Sequence, residues 1–213
     1  MLFSQEKSIV LRQWENSFSL VGGMGVHIVY APDIVDYIND IAVYTQQIDK
    51  VGVAVDFFGG MEIPVAKLWS VKVEHTYFFK SYSVMGNAGE MNDFFYSVHS
   101  PYVIFQKIFP GYGYVVKIGA GVGYHKGRLE HKVSTFGTTT QYTAEGLGMR
   151  SEIVGQTAFD EHLYGYISGS LGGNFIGTLR DSNGSALKFS RSTETVSLHY
   201  FHLGLRFGIT YFF

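Results

Sequence analysis

The 213 residues contain no cysteine. Disulfide staples, zinc–thiolate centres and thiol nucleophiles are therefore excluded. Charge is also scarce: Asp, Glu, Lys and Arg make up 16% of the chain, against about 25% in a typical soluble domain. The net charge of −2 points to no nucleic-acid partner. No run of about 18 apolar residues occurs, which excludes a transmembrane helix. A membrane is not excluded with it, because barrel strands hide their hydrophobicity by alternation, and the mean hydropathy stays near zero. Phosphate motifs are missing too. Gly119-Ala-Gly-Val-Gly123 occupies alternating strand positions with no helix after it, so it lacks the geometry of a phosphate cradle. No cofactor is expected.

What is present is alternation, clearest at the C-terminus. From Phe201 to Phe213, Leu203, Leu205, Phe207, Ile209 and Tyr211 share one face with both end residues. His202, Gly204, Arg206, Gly208 and Thr210 share the other. A transmembrane strand needs about 9–11 residues, apolar outward and small or polar inward, with aromatics at the two interfaces. The stretch Thr195–Phe213 meets those requirements. A soluble barrel would turn the apolar face inward and its charges outward; the Gly-rich second face argues against that.

The same two-faced pattern recurs along the chain. Strands are expected at about 16–30, 51–65, 69–83, 94–108, 112–126, 142–157 and 163–179, which with the last strand makes eight. Pro101 inside the fourth predicts a bulge or a locally unpaired position. The connections are expected to alternate long and short, with long ones at 31–50, 85–92, 127–141 and around 181–185. Pro32 followed by Ile34, Ile38 and Ile41 predicts a short helix in the first. Residues 1–15 read as a periplasmic segment or the remnant of a signal peptide, and 16–213 as a single barrel domain.

The last eight residues run polar-x-Gly-x-x-aromatic-x-aromatic, with Arg206, Gly208, Tyr211 and Phe213 at the marked positions. This resembles the terminal assembly signal of bacterial outer-membrane β-barrels. With eight strands and the alternating connections, the chain resembles the small eight-stranded outer-membrane barrels of the OmpA/OmpX-like type. The resemblance is one of architecture plus a single motif. It implies an all-β, antiparallel, up-and-down transmembrane barrel in a Gram-negative outer membrane, with periplasmic termini. It also implies outer-membrane lipid, lipopolysaccharide and the barrel assembly machinery as partners.

With the faces assigned, the inward charges are Asp56, Glu62, Lys72, Glu74, Lys117, Arg150, Glu152 and Arg206. Four acids meet four bases in an interior just wide enough for side chains, so they are expected to pair, with inward glycines making room. A gated ion path is the alternative. The first long connection is the candidate contact site for a partner protein or ligand, through Asp33, Asp36, Tyr37, Asp40 and Tyr44; a folded cap over the barrel mouth is the other reading. Histidines suggest no metal centre: His199 and His202 fall on opposite strand faces, and His125 and His131 flank the connection after strand five. Some barrels of this type modify lipid A with a Ser–His pair near the lipid surface. Here His75 faces lipid and His99-Ser100 lies on strand four, but the His-x-Ser arrangement is absent and no catalysis is expected. The expected role is structural or interactive: membrane integrity, adhesion or docking through external loops. A narrow pore or carrier for small or hydrophobic solutes stands second, and a lipid A-modifying enzyme third.

Overall fold

The computed structural model describes residues 17–44, 47–134, 136–190 and 192–213. The segment 1–15, with Asn16, lies outside them. Eight antiparallel strands close into a barrel in sequence order, and the last pairs with the first. They are β1 (Ser19–Tyr30), β2 (Val51–Ala66), β3 (Trp69–Met85), β4 (Met91–Pro110), β5 (Tyr114–Val133), β6 (Thr138–Ala158), β7 (Leu163–Ile176) and β8 (Tyr200–Phe212). Among the described residues one helix occurs, α1 (Pro32–Ile41), in the first connection.

Alternation explains the faces. On β8, Leu203, Leu205, Phe207 and Ile209 are each more than half exposed, while His202, Arg206 and Thr210 are buried. Successive side chains on a strand point to opposite sides, so a closed barrel sorts one set to the lumen and the other to lipid.

The connections differ from the expected alternation. Residues 31–50 and 177–199 are long. The other two on that side, 86–90 and 134–137, are short, because β3 to β6 continue outward into two hairpins. β4 and β5 have 20 residues each and β6 has 21, about twice what a membrane crossing needs. Above the membrane the outward face turns polar, as in Arg128 paired with Thr143, and at the hairpin end both faces do, as in the pairs Glu130–Gln141 and His131–Thr140, so this part of the ladder reads as loop in the sequence. The reverse holds at the end of the chain. Residues 195–199 precede β8 and fold with 177–190 through isolated bridges such as Thr178–Ser197 and Lys188–Thr195.

Pro101 leaves no bulge. The β4–β5 ladder lacks the pairs at Ser100 and Pro101, yet its register is the same above and below. Proline has no N–H to donate, so the rungs are lost without a slip. The register shift lies instead on β2, between Pro64 and Ala66. Below it, β2 turns into β3 through Lys67 and Leu68. Leu68 has a φ of 63°, an uncommon conformation for a branched residue. Its side chain packs on Ile108, Val115, Tyr164 and Phe212, an apolar plug at the end of the lumen bearing the short turns.

Candidate functional site

The lumen is where the chemistry of this chain is concentrated. All eight expected inward charges are buried there, none more than 5% exposed. Glu74 on β3 is the hub. Its Oε1 accepts from Arg150 Nη2 at 2.5 Å and from Arg206 Nη1 at 2.7 Å, and its Oε2 lies 2.9 Å from Lys72 Nζ. Lys72 reaches on to Glu152 at 2.6 Å, and Arg206 uses its other terminal nitrogen to pair with Asp56. Lys117 and Glu62 pair at 2.6 Å. Gln106 donates to Glu152 at 2.7 Å, and the guanidinium groups of Arg206 and Arg150 lie over the rings of Phe58 and Tyr102. Charges this deep are tolerable only when paired and hydrogen-bonded. The pairs join strands across the barrel as well as neighbours. Space is made by glycine: a Cβ at Gly25 would collide with Asp56 Oδ1 and Arg206 Cγ.

The structure adds polar groups outside the charged set. His27 Nε2 lies 3.1 Å from Asp56 Oδ2, and its Nδ1 lies 3.2 Å from His202 Nδ1. Gly204 and Gly172 leave the room these two rings occupy. Tyr102 donates to Asn174 Oδ1 at 3.0 Å. His27, His202 and Asn174 share the inward parity of the charges, which was the available signal; what they would touch was not readable. His125 takes the inward place that its position in strand five predicts, fully buried with Nδ1 2.6 Å from Ser100 Oγ; the connection expected beside it starts farther on, because β5 continues to Val133. Ser100 therefore points away from lipid. His131 sits higher, stacked on Phe94 and bonded to Asn92 at 2.8 Å.

Above the charges the lumen is closed by an apolar cap. α1 starts with Pro32 at its first turn and buries Ile34, Val35, Tyr37 and Ile38. Ile34, Tyr37 and Ile38 pack with Phe78, Phe94, Tyr96, Leu179, Val196 and Tyr200 in one cluster. The acids of the first connection hold this cap in place. Asp33 accepts from the Ser197 hydroxyl and backbone, Asp40 accepts from the Ser190 N–H at 2.6 Å, and Asp36 pairs with Lys50 at 2.7 Å. That hydrogen bond raises the Lys50 pKa, and burial raises that of the Tyr37 hydroxyl. Tyr44 alone of the five candidate residues is largely exposed, at 86%. Among the described residues no group of three or more His, Asp or Glu is placed to hold a metal.

At the other end Phe213 stacks on Phe18 with ring centroids 4.4 Å apart, and Tyr211 meets Phe213 edge-on at 5.0 Å. Gly208 lies where a Cβ would strike the backbone of Gly22 on β1. The marked terminal residues thus sit at the β1–β8 seam, apart from Arg206, which is in the charge network.

No family model and no curated protein matches the sequence. Solved structures do match the fold. A major outer membrane protein from Thermus thermophilus is similar over 92% of this chain and 99% of its own, with a TM-score of 0.58 and 12% identity. The outer membrane protein OprG from Pseudomonas aeruginosa is similar over 93% and 96%, with a TM-score of 0.55 and 12% identity. The chain has the fold of the small eight-stranded outer-membrane β-barrels. Its place is the outer membrane, and its apolar belt faces lipid.

Proposed function

We propose that this protein is a closed outer-membrane barrel with a structural or interaction role, in which the lumen supplies stability and the external face supplies contact. The observation that carries this reading is the Glu74 hub, which ties Lys72, Arg150 and Arg206 together across the lumen beneath an apolar cap. A conduction path would have to separate those pairs, each left as an uncompensated buried charge. We assign no catalytic role: the Ser100–His125 contact that most resembles a nucleophile and base is sealed inside.

Residues 16–213 are proposed as one barrel domain. For docking, the engagement of Asp33, Asp36, Asp40 and Tyr37 within the cap shifts the contact to the exposed Tyr44 and the hairpin tips, where Phe136 is 73% exposed. Arg206, Gly208, Tyr211 and Phe213 are proposed as the signal read by the barrel assembly machinery, a role supported by their order and by the position of the last three at the closing seam.

Planar-bilayer recording of purified protein tests the closed lumen. The expected result is no stable conductance at neutral pH. A steady, sizeable conductance would replace this reading with the narrow pore. Tyr44→Ser together with Phe136→Ser tests the external face: unchanged adhesion and unchanged cross-linked partners in cells would remove docking from the proposal and leave membrane integrity.

A further inference from the structure

The outer surface of β3 to β6 changes character abruptly in the direction of the cap. One row of ladder partners is Val73, Val103, Val122 and Met149, wholly apolar. Two rows further on, the partners are Tyr77, His99, Lys126 and Glu145, and the next row is Phe79, Ser97, Arg128 and Thr143. The other wall shows no such change. Its outward faces on β7, β8, β1 and β2 carry no charged side chain, and the belt there ends on the exposed aromatics Phe175, Phe201 and Tyr30. Those rings are linked through the ladder, Phe175 lying one partner from Leu147 and Phe201 opposite Tyr30. Aromatic belts mark the depth where lipid headgroups begin. The cations of β5 therefore stand at the outer headgroup level, and among the described residues the outward faces of β7, β8, β1 and β2 offer no counterpart.

They line a surface pocket of about 480 Å³, with Tyr77, His99, Gln141 and Thr143 around it. Lys126 and Arg128 are 64% and 49% exposed, so their charges are presented rather than stowed. Two carboxylates stand near these cations, Glu130 in the pocket lining and Glu145 beside it. Arg128 pairs with Glu130, and Glu145 accepts from the Tyr124 hydroxyl while lying 3.9 Å from Lys126. A lysine this far from its acid keeps its donors for another acceptor, and an arginine has five N–H groups, of which one carboxylate uses at most two. The acids hold the cations spread at the pocket without consuming them.

We propose that this pocket binds the phosphate-bearing headgroup of an outer-leaflet glycolipid. The phosphate takes charge-assisted hydrogen bonds from Lys126 and Arg128, with the His99 ring beside them. Gln141 and Thr143 offer polar partners to sugar hydroxyls. The acyl chains lie along the valine rows below, where the surface is already apolar. An outer-membrane barrel meets such headgroups everywhere, and among the described residues it is this wall that presents cations to hold one in place.

The test uses the full chain in phosphatidylcholine nanodiscs, titrated with bisphosphorylated lipid A, with bound lipid counted by native mass spectrometry. Wild-type protein should retain lipid A, and Lys126→Gln combined with Arg128→Gln should weaken retention by about tenfold or more. Lys107→Gln removes a cation that lies over Trp69 and Phe109 at the opposite belt, and should change nothing. Fully dephosphorylated lipid A should bind wild-type protein no better than bisphosphorylated lipid A binds the double variant. That arm needs no variant and stands if the double substitution fails to fold. Equal retention by wild type and folded double variant, or equal binding of the dephosphorylated lipid, would overturn the site. Displacement of lipid A by millimolar inorganic phosphate would overturn the lipid as its occupant.

Discussion

Two parts of one lumen are held together by opposite means. At membrane height the interior is ionic, centred on Glu74 and Arg206. Above it, where α1 and residues 177–199 fold over the mouth, the interior is an apolar core of Ile34, Ile38, Leu179 and Val196. The difference follows from what surrounds each part. In the bilayer the apolar residues must face lipid, so the inward positions fall to small, polar and charged side chains that stabilise the barrel only as a matched set. Above the bilayer the surroundings are water, and the ordinary rule returns: apolar side chains go inside. The Tyr200-to-His202 step on β8 marks the junction, with Tyr200 in the cap cluster and His202 against His27.

The sharpest way to break this comparison is to remove one ion from the set. Arg206→Met should cost about 3–5 kcal/mol, because Glu74 and Asp56 are then left partly uncompensated in the interior. Urea unfolding in lipid vesicles, followed by heat-modifiable gel mobility, measures it. A change below about 1 kcal/mol would mean that water reaches these carboxylates, against the closed lumen. In the cap, Ile38→Ala removes a fully buried side chain and should cost about 3 kcal/mol. Its signature is different: the cap should become sensitive to protease while the barrel keeps its mobility. Loss of both together would show that the two parts fold as one unit.

Deleting Phe213 has a smaller effect on the folded protein. The lost stacking on Phe18 is worth about 1 kcal/mol in refolding. The amount of barrel assembled in cells should fall far more. Equal losses in the two assays would reduce the terminal aromatic to part of the belt. The smallest effect is at the edge of the cap. The Lys50 pKa is raised above 10.5 by Asp36, so what the pair contributes is present at neutral pH and is lost as pH rises through the folded value. Lys50→Met should therefore leave neutral stability nearly unchanged and remove any cap loosening seen only in strong alkali. Both partners are exposed, which keeps the term small.

Legibility tracks locality. Inward and outward parity depends only on a residue's place in its own strand, so Asp56 and Arg206 can be assigned to the lumen without knowing what they meet. The helix after Pro32 is equally local. The hairpin ends of β5 and β6 are not, because two polar faces give no alternation to read. His125 shows both sides of this: its inward parity is local, but the continuation of β5 beyond it and its Ser100 partner are not. Residues 195–199 alternate with β8, yet leave the barrel because the cap needs Val196 and Leu198.

The sequence alone determined that this chain makes eight two-faced strands, which face meets lipid, and which charges are enclosed. Those are properties of a period-2 backbone with side chains sorted by solvent. Only the tertiary structure decided that Glu74 is the hub, that His27 meets His202, that α1 closes the mouth, and that Lys126 and Arg128 stand together at one wall of the belt. The first two depend on the stagger between strands far apart in the chain, which closure of the whole barrel sets; the others depend on how the cap and the belt are placed along the closed barrel.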